Sequence, residues 1–196
     1  MKKKALLFVF ASVIATVIAS PVGATELSIS DVTKASMNTT QYTDQYGDNV
    51  LQQVYYNKQG SIVEVSVEKG QLAYSTDSTL ASKTYFARSR STVTSRLEPS
   101  FGIYMRIYAN GFSDSYTNTS RSSKKSIDKI SVNTTLIMNG SVENQASDAR
   151  SSSSFANATA KQQRYMVATA PQYSRSSHVY ENRGASKVNH NTSAKR

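Results

Sequence analysis

The chain has 196 residues, no cysteine, no tryptophan, 23 basic against 13 acidic side chains, and a formal charge of +10. That length suits one ordinary domain, or a small domain with an extension, and excludes two large ones. The absence of cysteine excludes disulfides, a lipid-modified cysteine, thiolate metal sites and a cysteine nucleophile. The basic excess favours anionic partners such as teichoic acid, acidic lipid, extracellular DNA or acidic polysaccharide, although plain solubility accounts for it as well.

Residues 1–24 read as an export signal. Lys2, Lys3 and Lys4 form a positive start, Ala5 to Ile18 is apolar apart from Ser12 and Thr16, and Pro21 precedes the small-residue exit Val22-Gly23-Ala24. The apolar run is shorter than the roughly 20 residues a spanning helix needs, and no basic stop-transfer block follows. Cleavage after Ala24 is therefore expected, leaving 25–196 with a charge of +7 and no transmembrane segment. Export without disulfides fits a bacterial route. The six Asn-x-Ser/Thr triplets, at Asn38, Asn118, Asn133, Asn139, Asn157 and Asn191, are then products of composition. Ala194-Lys195-Arg196 offers no apolar tail, so any hold on a cell surface is expected to be non-covalent.

Residues 25–57 are polar and read as a weakly ordered lead-in. Within them Val50, Leu51, Val54 and Tyr55 give an apolar stripe that suits a short helix over 48–56. Residues 58–196 read as one β domain. Val63, Val65 and Val67 alternate with Glu64, Ser66 and Glu68, the period-2 mark of a half-buried strand, with Gly60 and Gly70 as turns and 71–75 as a hairpin partner. Residues 80–96 alternate with Tyr85, Ala87 and Val93 inward until Pro99. A further strand at 102–109 sets Ile103, Met105, Ile107 and Ala109 on one face and Tyr104, Arg106 and Tyr108 on the other, with Asn110-Gly111 closing it.

Eighteen of the 48 residues from 113 to 160 are Ser or Thr, a composition close to disorder, yet Ile130, Val132, Thr134, Leu136 and Met138 alternate cleanly inside it. Asn139-Gly140 then predicts a type I′ hairpin turn into 141–146, a polar strand suited to a sheet edge. Residues 164–170 read as a strand ended by Pro171, and 178–190 as a final hairpin around Asn182-Arg183-Gly184. Strands at this spacing, with turn dipeptides between them, predict an all-β, antiparallel, immunoglobulin-like β-sandwich with a weakly ordered N-terminal extension.

Residues 125–196 carry Ile127-Asp128-Lys129-Ile130-Ser131-Val132 leading to Thr135-Leu136 and Asn139-Gly140, a Ser-rich span, Tyr165-Met166-Val167, and His178-Val179-Tyr180 before Gly184. This pattern resembles one in small secreted β-rich proteins of Gram-positive bacteria, mostly of unassigned function. Those often carry a Trp soon after the glycine turn, which this chain lacks. The resemblance implies a secreted β-rich module and transfers no activity or catalytic residue.

Catalytic chemistry finds little support. Only His178 and His190 could act as an imidazole base; His178 falls in an expected strand and His190 in a segment expected to fray. Neither has a carboxylate at a metal-ligand spacing. Glu64 and Glu68 share a strand face, but strand rise holds them about 13 Å apart, unsuited to glycosidase geometry, and a solvated face is expected. No glycine-rich phosphate loop occurs, so neither a cofactor nor a metal is expected. Basic and aromatic residues interleave at Tyr85, Phe86, Arg88 and Arg90, and again at Tyr104, Arg106 and Tyr108. The second set is the candidate contact surface if its face is open to solvent; otherwise it covers a second core layer with Arg106 at the rim.

The expectation is a secreted, non-enzymatic binding or structural protein, held to anionic cell-wall polymers or acidic polysaccharide of the envelope or matrix by its positive charge, with no specific nucleic-acid partner. The alternative is a secreted, bacteriocin-like antagonist.

Overall fold

A computed structural model describes residues 33–76, 83–100, 102–165 and 171–196, with the side chains of 97–104 and 163–165 outside the description. The export signal expected at 1–24 lies outside the described residues, as does the strand expected at 164–170 beyond Tyr165. The described regular elements are ten strands: β1 (Ser36–Thr43), β2 (Asn49–Tyr56), β3 (Ile62–Ala73), β4 (Tyr85–Ser100), β5 (Gly102–Tyr116), β6 (Ile127–Met138), β7 (Ser141–Ser153), β8 (Phe155–Tyr165), β9 (Gln172–Glu181) and β10 (Val188–Lys195). They form a six-stranded sheet ordered β1-β2-β3-β4-β5-β8 and a four-stranded sheet ordered β10-β9-β6-β7. Every pairing is antiparallel. The all-β, two-sheet class is the one expected. Its first five strands run as a meander within one sheet, whereas an immunoglobulin-type sandwich divides consecutive strands between its sheets.

Several segments depart from the sequence reading for identifiable reasons. Residues 49–56 are strand β2 and not a helix, and β1 pairs with them, so much of the supposed lead-in is sheet. Pairing with β3 outweighs a helical stripe made of β-favouring Val and Tyr. Gly70 and Gly111 are not turns but mid-strand positions. A side chain at Gly70 would meet the Phe86 ring, and one at Gly111 would meet Thr134, Val132 and Ser176 of the facing sheet. Pro99 stays within β4 because β3 pairs only as far as Thr94, which leaves one side of the proline without a ladder to break. His190 does not fray: it sits in β10, directly opposite His178 of β9.

The Asn139-Gly140 turn has φ of 52° and 78°, as a type I′ hairpin requires, and β7 is an edge strand as its polarity suggested. β8 also ends its sheet, but β7 side chains occupy part of its outer backbone. Asp148 Oδ2 accepts from Asn157 N at 2.9 Å, and Asn144 Nδ2 donates to Lys161 O at 2.8 Å. The two sheets are thereby joined along that side.

Two apolar clusters fill the space between the sheets. One gathers Val65, Val67, Val93 and Ile107 against Leu136 and Met138; the other gathers Tyr85 and Ala87 against Ile130, Val132, Tyr180 and Val188. Between them lies a band of hydroxyl and imidazole groups. Ser91 Oγ reaches Ser176 Oγ at 2.7 Å, Thr134 Oγ1 lies 3.0 Å from Ser176 Oγ, and Thr192 Oγ1 links Ser91 to His178 Nε2. Ser113 Oγ donates to Ser131 O and lies 2.9 Å from His178 Nδ1, and Thr192 Oγ1 lies 2.8 Å from His178 Nε2. In a second branch His190 Nε2 donates to Gln71 Oε1 at 3.1 Å, and its Nδ1 accepts from Ser89 at 2.8 Å.

Both rings are neutral. Burial pushes His178 down to about 3, with the nearby His190 adding to the effect. Burial likewise lowers His190 to about 4, where Lys69 acts in the same direction against Asp48 and Asp44. Histidine in the unfolded chain titrates near 6.5. The stability that depends on neutral rings is therefore complete above pH 6.5 and is lost as pH falls through the window down to these lowered values.

Two outcomes follow from this interior. Gly111→Ala is expected to lower the unfolding free energy by about 2 kcal/mol, since a methyl must be forced into an already filled contact between sheets, and urea denaturation at neutral pH measures it. The urea midpoint of the unsubstituted chain is expected to fall between pH 6.5 and pH 4. His190→Gln, although less stable at pH 7, should show a shallower fall over the same range; an unchanged slope would count against the buried neutral ring as its source.

Candidate functional site

The outer face of the six-stranded sheet carries the basic and aromatic residues. Alternation turns Phe86, Arg88, Arg90, Thr92 and Arg96 of β4 outward, and with them Arg106, Tyr108, Asn110 and Phe112 of β5. Tyr85 of the first interleaved set points inward instead, donating to the Tyr180 and Ser186 carbonyls at 3.0 and 3.1 Å. Of the second set, Arg106 and Tyr108 lie half-buried on this outer face, and the Tyr104 side chain lies outside the described residues. The strand register then brings together what sequence spacing alone did not. Arg90 stands opposite Phe112 with its guanidinium 4.4 Å from the ring centre. Arg96 stands opposite Arg106 and lies 5.6 Å from the Tyr108 ring. Lys161 of β8 is opposite Tyr108.

A polar row crosses the middle of this face. Asn110 donates to Thr92 Oγ1 at 3.0 Å and accepts from Thr159 Oγ1 at 2.9 Å. These bonds fix the Asn110 amide and hold the cationic groups on either side of it in register. Flat guanidinium groups lying on aromatic rings keep their N–H edges available while losing little rotamer freedom on binding.

The carboxylates of this region are already engaged. Glu64 pairs with Lys34 at 2.8 Å, Asp114 pairs with Lys124, and Glu68 pairs with Arg88. Arg121 Nη2 adds an ion pair to Glu68 Oε1 at 2.6 Å, outside hydrogen-bond alignment. Glu68 is accordingly buried, and the solvated face expected for Glu64 and Glu68 is replaced by a set of ion pairs. Burial works against the Arg88 charge, but the Glu68 partner outweighs it and raises the Arg88 pKa. Among the described residues, no carboxylate pairs with Arg90, Arg96 or Lys161.

A second feature was missed by sequence reasoning. The turn between β1 and β2 helps to line a cleft of about 500 Å³, with side chains of β3, β6, β9 and β10. Asp44 Oδ1 accepts from Tyr46 N at 2.9 Å and Asp48 N at 3.0 Å, and Gly47 takes φ of 84°, so the turn is fixed internally. Lys69 ties it to β3 through Asp44 and Asp48. The hydrogen bond from Lys69 holds the Asp44 carboxyl below its usual range. Burial alone would lower Lys69, and its two carboxylate partners reverse that and raise it.

His178 and His190, at 1% and 3% exposure, are enclosed in the hydroxyl band away from both surfaces. Among the described residues no group of histidine, aspartate and glutamate side chains is arranged to hold a metal ion. No protein-family model matches this chain, and neither a curated protein nor a solved structure is similar to it.

Proposed function

We propose that this protein is a non-enzymatic binding module that works outside the cell, holding an anionic polymer of the envelope or matrix against the outer face of its six-stranded sheet. The observation that carries this reading is the pair of cations at the centre of that face, Arg90 and Arg96, which rest on Phe112 and Tyr108 and have no ion pair among the described residues. A strand ladder presents such groups at the spacing of neighbouring strands, roughly 5 Å, which suits the repeating charges of a polyphosphate backbone or an acidic polysaccharide. Export is supported by the signal-like residues 1–24 and by the resemblance of 125–196 to small secreted proteins of Gram-positive bacteria. Binding of this kind depends on charge and shape and needs no reactive group.

Retention on immobilised teichoic acid is expected at low salt and should fall steeply as ionic strength rises above about 0.1 M, where the screening length is near 10 Å. The pair Arg90→Ala and Arg96→Ala should weaken low-salt retention by about tenfold with unchanged thermal stability, whereas Lys187→Ala, in a distant ion pair with Glu181, should not. Equal retention by all variants would overturn the assignment to this face. Mass spectrometry of the protein from the producing culture is expected to find an N-terminus at Thr25, and an intact residue 1–24 would overturn export by cleavage.

A further inference from the structure

The outer face of the four-stranded sheet is unlike the basic face. Near the cleft its outward side chains form two rows in register across β6, β9 and β10: Asn133, Ser177 and Asn191 in one, and Thr135, Arg175 and Ser193 in the next. Five of these six are short amides or hydroxyls, each able to donate and accept. The other side of the cleft is the end of β1 and the β1–β2 turn, which present Tyr42 at 43% and Tyr46 at 75% exposure respectively. Exposed tyrosine rings on a turn fixed by Asp44, Gly47 and Lys69 are rigid apolar surfaces with a polar tip.

Charge is close to balanced here. The Lys69 ammonium is satisfied by Asp44 and Asp48, leaving Arg175 as the one lining cation without an ion pair among the described residues. A polyanion would gain little from such a surface, and an apolar ligand would strand its amides and hydroxyls. The ligand that matches is uncharged, bears closely spaced hydroxyls along one edge, and has flat C–H faces to lie against the tyrosines. A volume of about 500 Å³ falls within the range of small-ligand clefts and suits two or three linked rings.

From this juxtaposition we infer that the cleft between the β1–β2 turn and the outer face of β6, β9 and β10 is a binding site for a neutral oligosaccharide. Tyr46 and Tyr42 stack on the sugar, and Asn133, Ser177 and Asn191 exchange hydrogen bonds with its hydroxyls. The site is separate from the basic face and stands whether or not that face binds a polyanion.

The test is titration calorimetry of the full chain against maltohexaose, cellohexaose, xylohexaose and chitohexaose, at low salt and again in 1 M sodium chloride. Binding of at least one of these is expected at millimolar affinity or better, with similar strength at both salt concentrations. Tyr46→Ala should weaken it by about tenfold or more, and Asn191→Ala by about fivefold. Lys187→Ala should leave it unchanged. Because Tyr46 and Asn191 are exposed, these variants are expected to fold, which their thermal midpoints will verify. Absence of binding by all four sugars, binding abolished by salt, or binding indifferent to both Tyr46→Ala and Asn191→Ala would each overturn the assignment.

Discussion

The close approach of the two sheets at Gly111 governs the rest of this structure. At that point the backbone of β5 meets Thr134 and Ser176 with no side chain between them, and the surrounding contacts must be made by small groups. Serine and threonine fill that requirement while also satisfying one another. Ser91, Ser113, Ser176 and Thr192, with His178, form a continuous set of hydrogen bonds where a larger apolar residue would push the sheets apart. Such a network is costly when incomplete and specifies one alignment of the sheets when complete. The apolar clusters on either side supply burial, and the hydroxyl band sets register and spacing.

This explains which parts of the fold were legible in the sequence. Val63, Val65 and Val67, and the run from Ile130 to Met138, announced themselves because each buries alternate apolar side chains, most of them in the two clusters. The serines did not, because a serine facing its partner sheet has the same one-letter appearance as a serine facing water. The two Asn-Gly dipeptides make the same point. Asn139-Gly140 has open space around its glycine and turns with positive φ; Gly111 is enclosed by the facing sheet and stays extended within β5. Local chemistry cannot separate them, since the difference is made by strands β6 and β9, which lie elsewhere in the chain.

The candidate surfaces divide in the same way. Arg106 and Tyr108 could be assigned to one strand face by period-2 alternation alone. Their neighbours Arg96 and Lys161 belong to other strands, and only the register places them together. The cleft was wholly illegible, because it combines a turn near the start of the chain with Asn, Ser and Thr side chains from three later strands, residue types that occur throughout this sequence. The two surfaces lie on opposite outer faces of the sandwich, so occupation of one leaves the other open. A chain with both filled would tie a charged polymer to a neutral one.

The hydroxyl band has a thermodynamic consequence of its own. Unfolding exposes apolar surface, which raises the heat capacity, and polar surface, which lowers it. With serines and threonines at mid-core and alanines along the inner face of β8, unfolding exposes less apolar and more polar area than it would for an aliphatic core of equal length. The heat-capacity increment is correspondingly smaller than for such a core, and the curve of stability against temperature is flatter.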